Sequence, residues 1–137
     1  MKQFLLVLLA LSAMKAQAQY APAPAVPASL TTIAVNDEGE NLLADTKGNT
    51  LYVFDLDLNK PTSACAATCA EMWPPYLVTA DEIKALQAPF AAITRDSKKM
   101  QLTYEGSPVY TYALDRGVAA DAGDGVGGVW HYVEIEN

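Results

Sequence analysis

Few side chains in this sequence are equipped for covalent or metal chemistry. Cys65 and Cys69 are the only cysteines, His131 is the only histidine, and Met72 stands seven residues after Cys65. On a helix, positions i and i+4 share a face. The two cysteines would then hold their Cα atoms about 6 Å apart, within the range a disulfide accepts. Closing so small a ring contributes about 2 kcal/mol in the chain-entropy account. A rival reading uses the same atoms: two thiolates and the Met72 thioether suit Cu(I), with His131 as a further ligand. That site requires reduced thiols. A redox-active pair is a third reading, but the usual C-x-x-C spacing is absent.

The second set of candidates is aromatic and acidic. Tyr52-x-Phe54-x-x-Asp57 recurs as Tyr110-x-Tyr112-x-x-Asp115. Side chains alternate along a strand, so each pair of rings shares one face. Core packing and cross-strand pairing are the favoured use of such rings. The functional alternative is a surface of Tyr52, Tyr104, Tyr110, Tyr112 and Trp130 for an apolar or planar ligand, or for a protein. Asp57 and Asp115 fall where the strands end, which suits an Asx-type turn needed twice. A catalytic carboxylate pair would depend on a separation that sequence does not contain, so a hydrolase is the weakest reading. His131 beside Trp130 has no identified nucleophile or second ligand, which is thin support for an enzyme. Asp55-x-Asp57-x-Asn59 starts like a calcium loop, but Lys60 and Ala66 replace the required Gly and Glu. Gly123-x-Gly125-x-x-Gly128 leads into a strand, so no helix N-terminus awaits a phosphate.

The elements that must position these residues form an internal repeat. Leu51 to Asp57 aligns with Val109 to Asp115, and a gapless extension upstream pairs Gly48 with Gly106 and Leu43 with Gln101. Each copy reads as a β-hairpin with a short glycine loop: residues 41–45 into 50–56, and 100–104 into 108–114. Further strands are expected at 30–35, 91–95 and 129–135. One helix is expected over 63–72, capped by Thr62 or Ser63. A second is expected over 80–87, with Thr79 and Glu82 as a capping box. Trp73-Pro74-Pro75 stops the first and Pro89 the second. Residues 116–128 form a long Gly/Ala/Asp loop. The expected fold is mainly β, α+β at the margin: antiparallel, with two pseudo-repeated hairpins and one or two short helices between them.

Residues 1–18 read as a signal peptide. Lys2 is the positive start, Phe4 to Leu11 an apolar run too short to span a bilayer, and Ala16-Gln17-Ala18 a cleavage pattern. No cysteine stands at that point, so no lipid anchor is expected. Residues 19–29, with Pro22, Pro24 and Pro27, read as an extended spacer. Residues 30–137 then make one domain, small enough to benefit from a covalent staple. An oxidising periplasmic or extracellular compartment favours the Cys65–Cys69 disulfide over copper. The formal charge of −7 grows more negative when Lys2 and Lys15 leave with the leader. It argues against nucleic acid and against anionic lipid headgroups as partners.

The two Y-x-[FWY]-x-x-D copies, Cys65-x-x-x-Cys69-x-x-x-Trp73-Pro74-Pro75 between them, and the Gly-rich stretch ending Gly128-Val129-Trp130-His131 carry a resemblance. Over about Leu42 to Val133 the chain resembles the bacterial secreted repeats and predicted lipoproteins that bear this motif. The chain lacks the lipobox cysteine of the lipoprotein members, so their anchoring does not carry over. The resemblance implies an exported β domain and no particular chemistry. The expectation is therefore a non-catalytic envelope or secreted module that binds a partner protein or small ligand and needs no cofactor. A periplasmic copper or electron-transfer accessory protein is the alternative.

Overall fold

Two strands, each buried at its centre on both faces, organise the chain. Asn41–Asp45 (β2) buries Leu42, Leu43 and Ala44, and Met100–Tyr104 (β6) buries Gln101, Leu102 and Thr103. Runs buried on both faces mark central strands. The computed structural model describes residues 30–96 and 98–136. The signal peptide expected at 1–18 and the spacer at 19–29 lie outside them.

Thr31–Val35 (β1) pairs antiparallel with β2, and Phe90–Thr94 (β5) pairs antiparallel with β6. Leu77–Val78 (β4) and Ser107–Pro108 (β7) take the other edge of β6. Tyr52–Phe54 (β3) pairs with Trp130–Tyr132 (β8), Tyr52 facing Tyr132 and Phe54 facing Trp130. Two short helices, Thr68–Met72 (α1) and Ala80–Lys84 (α2), lie between the hairpins. The expected mainly antiparallel β architecture, with two pseudo-repeated hairpins and two short helices, is the observed one.

Each hairpin turn has its own local chemistry. Asp45 Oδ1 accepts from the Lys47 and Asn49 N–H groups at 2.9 Å each, which shapes the three-residue first loop that Asp45 and Asn49 close. Glu105 and Gly106 both have positive φ (49° and 82°) in the two-residue second loop, as the tight primed turns require. The first loop is therefore one residue longer in effect. Leu51 N donates to Leu43 O, whereas Val109 N donates to Leu102 O. Leu43 thus corresponds to Leu102, not to Gln101 as the gapless alignment has it.

Several expected elements are shorter. The helix expected over 63–72 starts at Thr68, because Ala67 has a φ of 52° that a helix cannot contain. The second helix ends at Lys84, with the expected capping box intact: Thr79 N reaches Glu82 Oε2 at 2.7 Å, and Glu82 N reaches Thr79 Oγ1 at 3.2 Å. The strand expected to run to Leu56 turns into a 3₁₀ turn at Asp55–Asp57. The long second strands of both hairpins leave their own hairpin partner early, since their next partner is the other repeat.

The interior has two parts. An aliphatic core gathers Leu43, Leu51, Leu102, Val109, Val133 and Ile135, with Phe90 at its side. An aromatic core gathers Tyr52, Phe54, Trp73, Tyr110 and Trp130 around Cys65.

Candidate functional site

Tyr52 and Tyr110 meet at the centre of the molecule. Their backbones exchange two hydrogen bonds, Tyr52 N to Tyr110 O at 2.8 Å and Tyr110 N to Tyr52 O at 2.9 Å. Both residues are 0% exposed. Their side chains then cross. Tyr52 Oη donates to Asp115 Oδ2 at 2.7 Å, and Tyr110 Oη donates to Asp57 Oδ2 at 2.5 Å. The tyrosine of each motif therefore holds the aspartate of the other.

The two crossed pairs differ in their surroundings. Asp57 is buried, and its Oδ1 accepts from Ala64 N at 2.6 Å. Ser63 Oγ lies 2.6 Å from the Tyr110 hydroxyl. With that hydroxyl's one proton on Asp57, the single Ser63 proton is divided between the Tyr110 oxygen and the Cys65 carbonyl, 3.2 Å away. Around Asp115 the fit is looser. The Tyr52 hydroxyl also accepts from Gly123 N at 3.3 Å. Asp115 Oδ1 is buried without a hydrogen-bond partner among the described residues. Burial pushes the Asp115 carboxyl above its ordinary range, against the opposing pull of the Tyr52 hydroxyl. Burial, reinforced by the adjacent aspartate, pushes both Tyr52 and Tyr110 well above the usual phenol range.

Neither aspartate makes the local Asx turn expected of it. Asp57 reaches seven residues on, to Ala64, and both carboxylates are taken up by a tyrosine from the other repeat. That engagement leaves the pair poorly placed for acid–base work.

The rings form one continuous stack. Phe54 lies on Trp130 (4.2 Å between centroids, 9° between planes), Trp130 on Trp73 (3.8 Å, 2°), and Trp73 on Tyr112 (4.1 Å, 22°). Tyr52 meets Trp73 edge-on at 5.4 Å, and Tyr110 meets Trp130 edge-on at 5.1 Å. Both geometries are ones aromatic pairs prefer. The stack is symmetric: Phe54 answers Tyr112, and Trp130 answers Trp73. Gly123 lies against it, where a Cβ would come 2.8 Å from the Tyr52 ring and 2.9 Å from Trp73. The ligand surface expected from Tyr52, Tyr110 and Trp130 is thus corrected: all three are buried in this stack. Tyr112 and Tyr104 are half-buried. Tyr104 packs edge-on against Phe90 and borders an open groove with Glu105 and Glu134.

Cys65 and Cys69 are joined as a disulfide, with Cα atoms 5.2 Å apart. Cys65 sits on the loop before α1, not on the helix. Met72, at the end of α1, is 41% exposed. His131 Nε2 lies 3.0 Å from Asp55 Oδ2, both side chains half-exposed. The helix once expected to align Cys65, Cys69 and Met72 on one face does not extend to Cys65. Among the described residues, no group of three or more His, Cys, Asp or Glu is placed to hold a metal ion.

The residues missed from sequence are Trp73, Ser63, Ala64 and Gly123. One signal was present: Trp73 and Trp130 stand 57 residues apart, close to the repeat's own period. No signal in the chain points to Ser63 or Ala64.

No helix among the described residues is long and apolar enough to cross a membrane. A family model described as a secreted repeat of unknown function matches residues 32–76 and again residues 91–134. No curated protein and no solved structure matches significantly. The two matched segments are the two halves that meet at Tyr52 and Tyr110, and together they cover more than half of the chain, which belongs to this family of secreted repeats.

Proposed function

We propose that the chain is exported, loses residues 1–18 after Ala18, and works in the periplasm or outside the cell as a non-catalytic interaction module. The family's secreted description supports export, as does the three-part pattern of Lys2, Phe4 to Leu11 and Ala16-Gln17-Ala18.

One observation carries the choice of an interaction role. Within both motifs, the rings and carboxylates face inward to hold the fold, while the leucine before the aspartate faces out. Leu56 is 53% exposed and its equivalent Leu114 is 51% exposed. A fold has no need to expose the same large apolar side chain twice. Each leucine follows a residue whose backbone is tied to another segment: Ala113 N bonds to the carbonyl of Met72, and Asp55 N to that of Val129. An exposed leucine recurring at the same place in each repeat of an acidic chain suits contact with apolar surface on an envelope protein.

The test is capture from envelope extract by the immobilised mature domain, beside a Leu56→Asp/Leu114→Asp variant with unchanged near-UV circular dichroism. A partner held by the native domain and lost by the variant supports the reading. Identical captures from both would remove the leucines from it. Copper recovered with the native protein, together with free thiols, would favour the copper accessory role of Cys65, Cys69, Met72 and His131 instead.

A further inference from the structure

Each repeat ends in a segment that completes the other repeat's sheet. After β8, Val133 N donates to Leu51 O at 3.0 Å, and Leu43 N donates to Val133 O at 2.8 Å. Ahead of β4, Tyr76 N donates to Val109 O at 3.1 Å, and Leu102 N donates to Tyr76 O at 2.9 Å. These are the same two bonds made twice, with Leu43 answering Leu102, Leu51 answering Val109, and Val133 answering Tyr76. The Tyr–Asp pairs and the tryptophan stack repeat the pattern. Such a surface, in which i meets j and j meets i, is the isologous interface of a two-fold dimer. Here both halves lie on one chain.

We propose that each repeat is a docking surface for a repeat of its own kind, and that a second copy of this chain can supply the missing half. In the exchanged dimer, residues 30–78 of one copy pair with residues 90–135 of the other. Every contact between repeats is then remade, and only the linker changes course.

The linker decides which copy supplies the half. The disulfide joins two residues of the first repeat, so residues 79–89 are the sole covalent connection between the halves. Val78 pairs with Met100 and Phe90 with Tyr104, on opposite edges of β6. Two strand spacings and four residues of rise put those ends on the order of 16 Å apart. The linker also has to cross the face of β6, which it does through α2. Ile83 and Leu86 pack on the aliphatic core along the way. The tether holds the second repeat at high effective concentration, so closure within one chain wins while the linker can span the gap.

Removing residues 80–87 leaves Thr79, Ala88 and Pro89 between Val78 and Phe90. Their full reach is about 14 Å, too short to make the crossing. Size-exclusion chromatography with light scattering should show this variant as a dimer with the native near-UV spectrum. A folded monomer would overturn the proposal. A second measurement decides should the variant fail to fold. A protease site is inserted between Gln87 and Ala88 of the intact chain, and the purified protein is cleaved there. The two fragments should stay together at the monomer mass. Isotopically light and heavy cleaved protein, mixed in denaturant and diluted out, should give hybrid complexes as about half of the total by native mass spectrometry. Fragments that part under native conditions, or complexes without hybrids, would end the idea.

Discussion

The Tyr110–Asp57 pair and the Tyr52–Asp115 pair are the same motif in two environments, and they should respond differently to the same change. Tyr110→Phe takes a donor from a buried carboxylate, while the Ser63 hydroxyl keeps its two bonds to Cys65. Leaving a buried charge short of a partner costs about 2–3 kcal/mol. Tyr52→Phe acts on a carboxylate that is only partly buried and already has one unpaired oxygen. Its loss should be about half as large, as urea denaturation of both variants will show; equal losses would refute the difference. Asp115 also makes stability depend on pH. Its carboxyl lies above the value it has in the unfolded chain. The folded protein therefore keeps the proton over a range where the unfolded chain has released it. That contribution is complete below the ordinary aspartate value and fades as pH rises through the raised one. Asp115→Asn keeps an acceptor for the Tyr52 hydroxyl and removes the titration. The urea midpoint of Asp115→Asn minus that of the native protein should climb between pH 3.5 and 7. A flat difference would show that burial does not control this carboxyl. The pattern of tyrosines and aspartates was plain in the sequence. Its partners were not, because an aspartate at a strand end reads as local turn chemistry and nothing in the chain marks a bond made across 63 residues.

Among the elements, the turns and the second helix were legible because their chemistry is local: the Thr79–Glu82 box, the Gly48 and Gly106 turns, the stop at Trp73-Pro74. The first helix was overextended because Ala67 carries no sign of its left-handed backbone. The loop between Asp57 and Trp73 is thus mostly non-helical, and the disulfide staples it. Its counterpart between Asp115 and Trp130 has no covalent staple and relies on Gly123 fitting against Tyr52 and Trp73. Bonding Cys65 to Cys69 closes a very short loop, so its contribution is about 2 kcal/mol. A Cys65→Ala/Cys69→Ala variant should therefore remain folded and lose about that much stability. The weakening should be local. Hydrogen exchange at the Ala64 amide, which is bonded to Asp57, should speed up far more than at the Gly123 amide, which is bonded to Tyr52. Equal acceleration at both would mean that the bond stabilises the molecule as a whole and not its own loop.

At the scale of the whole molecule, two repeats do not make two folding units. Stacked repeat arrays gain stability nearly repeat by repeat, each touching only its neighbours. Here the repeats interlock: β8 lies on β3, the residues before β4 lie on Tyr110, and both tryptophans share one stack. Neither half retains a complete sheet or an enclosed core once the other is gone. The number of repeats and the antiparallel β class could be read from the sequence, since both are matters of local pattern. The interlock could not, because a side-by-side pair of hairpins would have the same alternation, glycines and spacing. The two arrangements differ in how they unfold. Side-by-side hairpins would melt in separable steps, whereas interlocked ones must melt together. Calorimetry of the mature domain should give one transition whose calorimetric and van't Hoff enthalpies agree. A change buried in one repeat should then be felt in full by the other. Leu51→Ala opens a cavity in the first repeat beside Val133 and should cost about 2–5 kcal/mol. Hydrogen exchange of the β5–β6 amides, all in the second repeat, should lose the same free energy as the β1–β2 amides. Protection that falls in β1–β2 alone would mean that the second repeat holds its structure by itself, and that the crossed segments are a contact between two domains rather than the core of one.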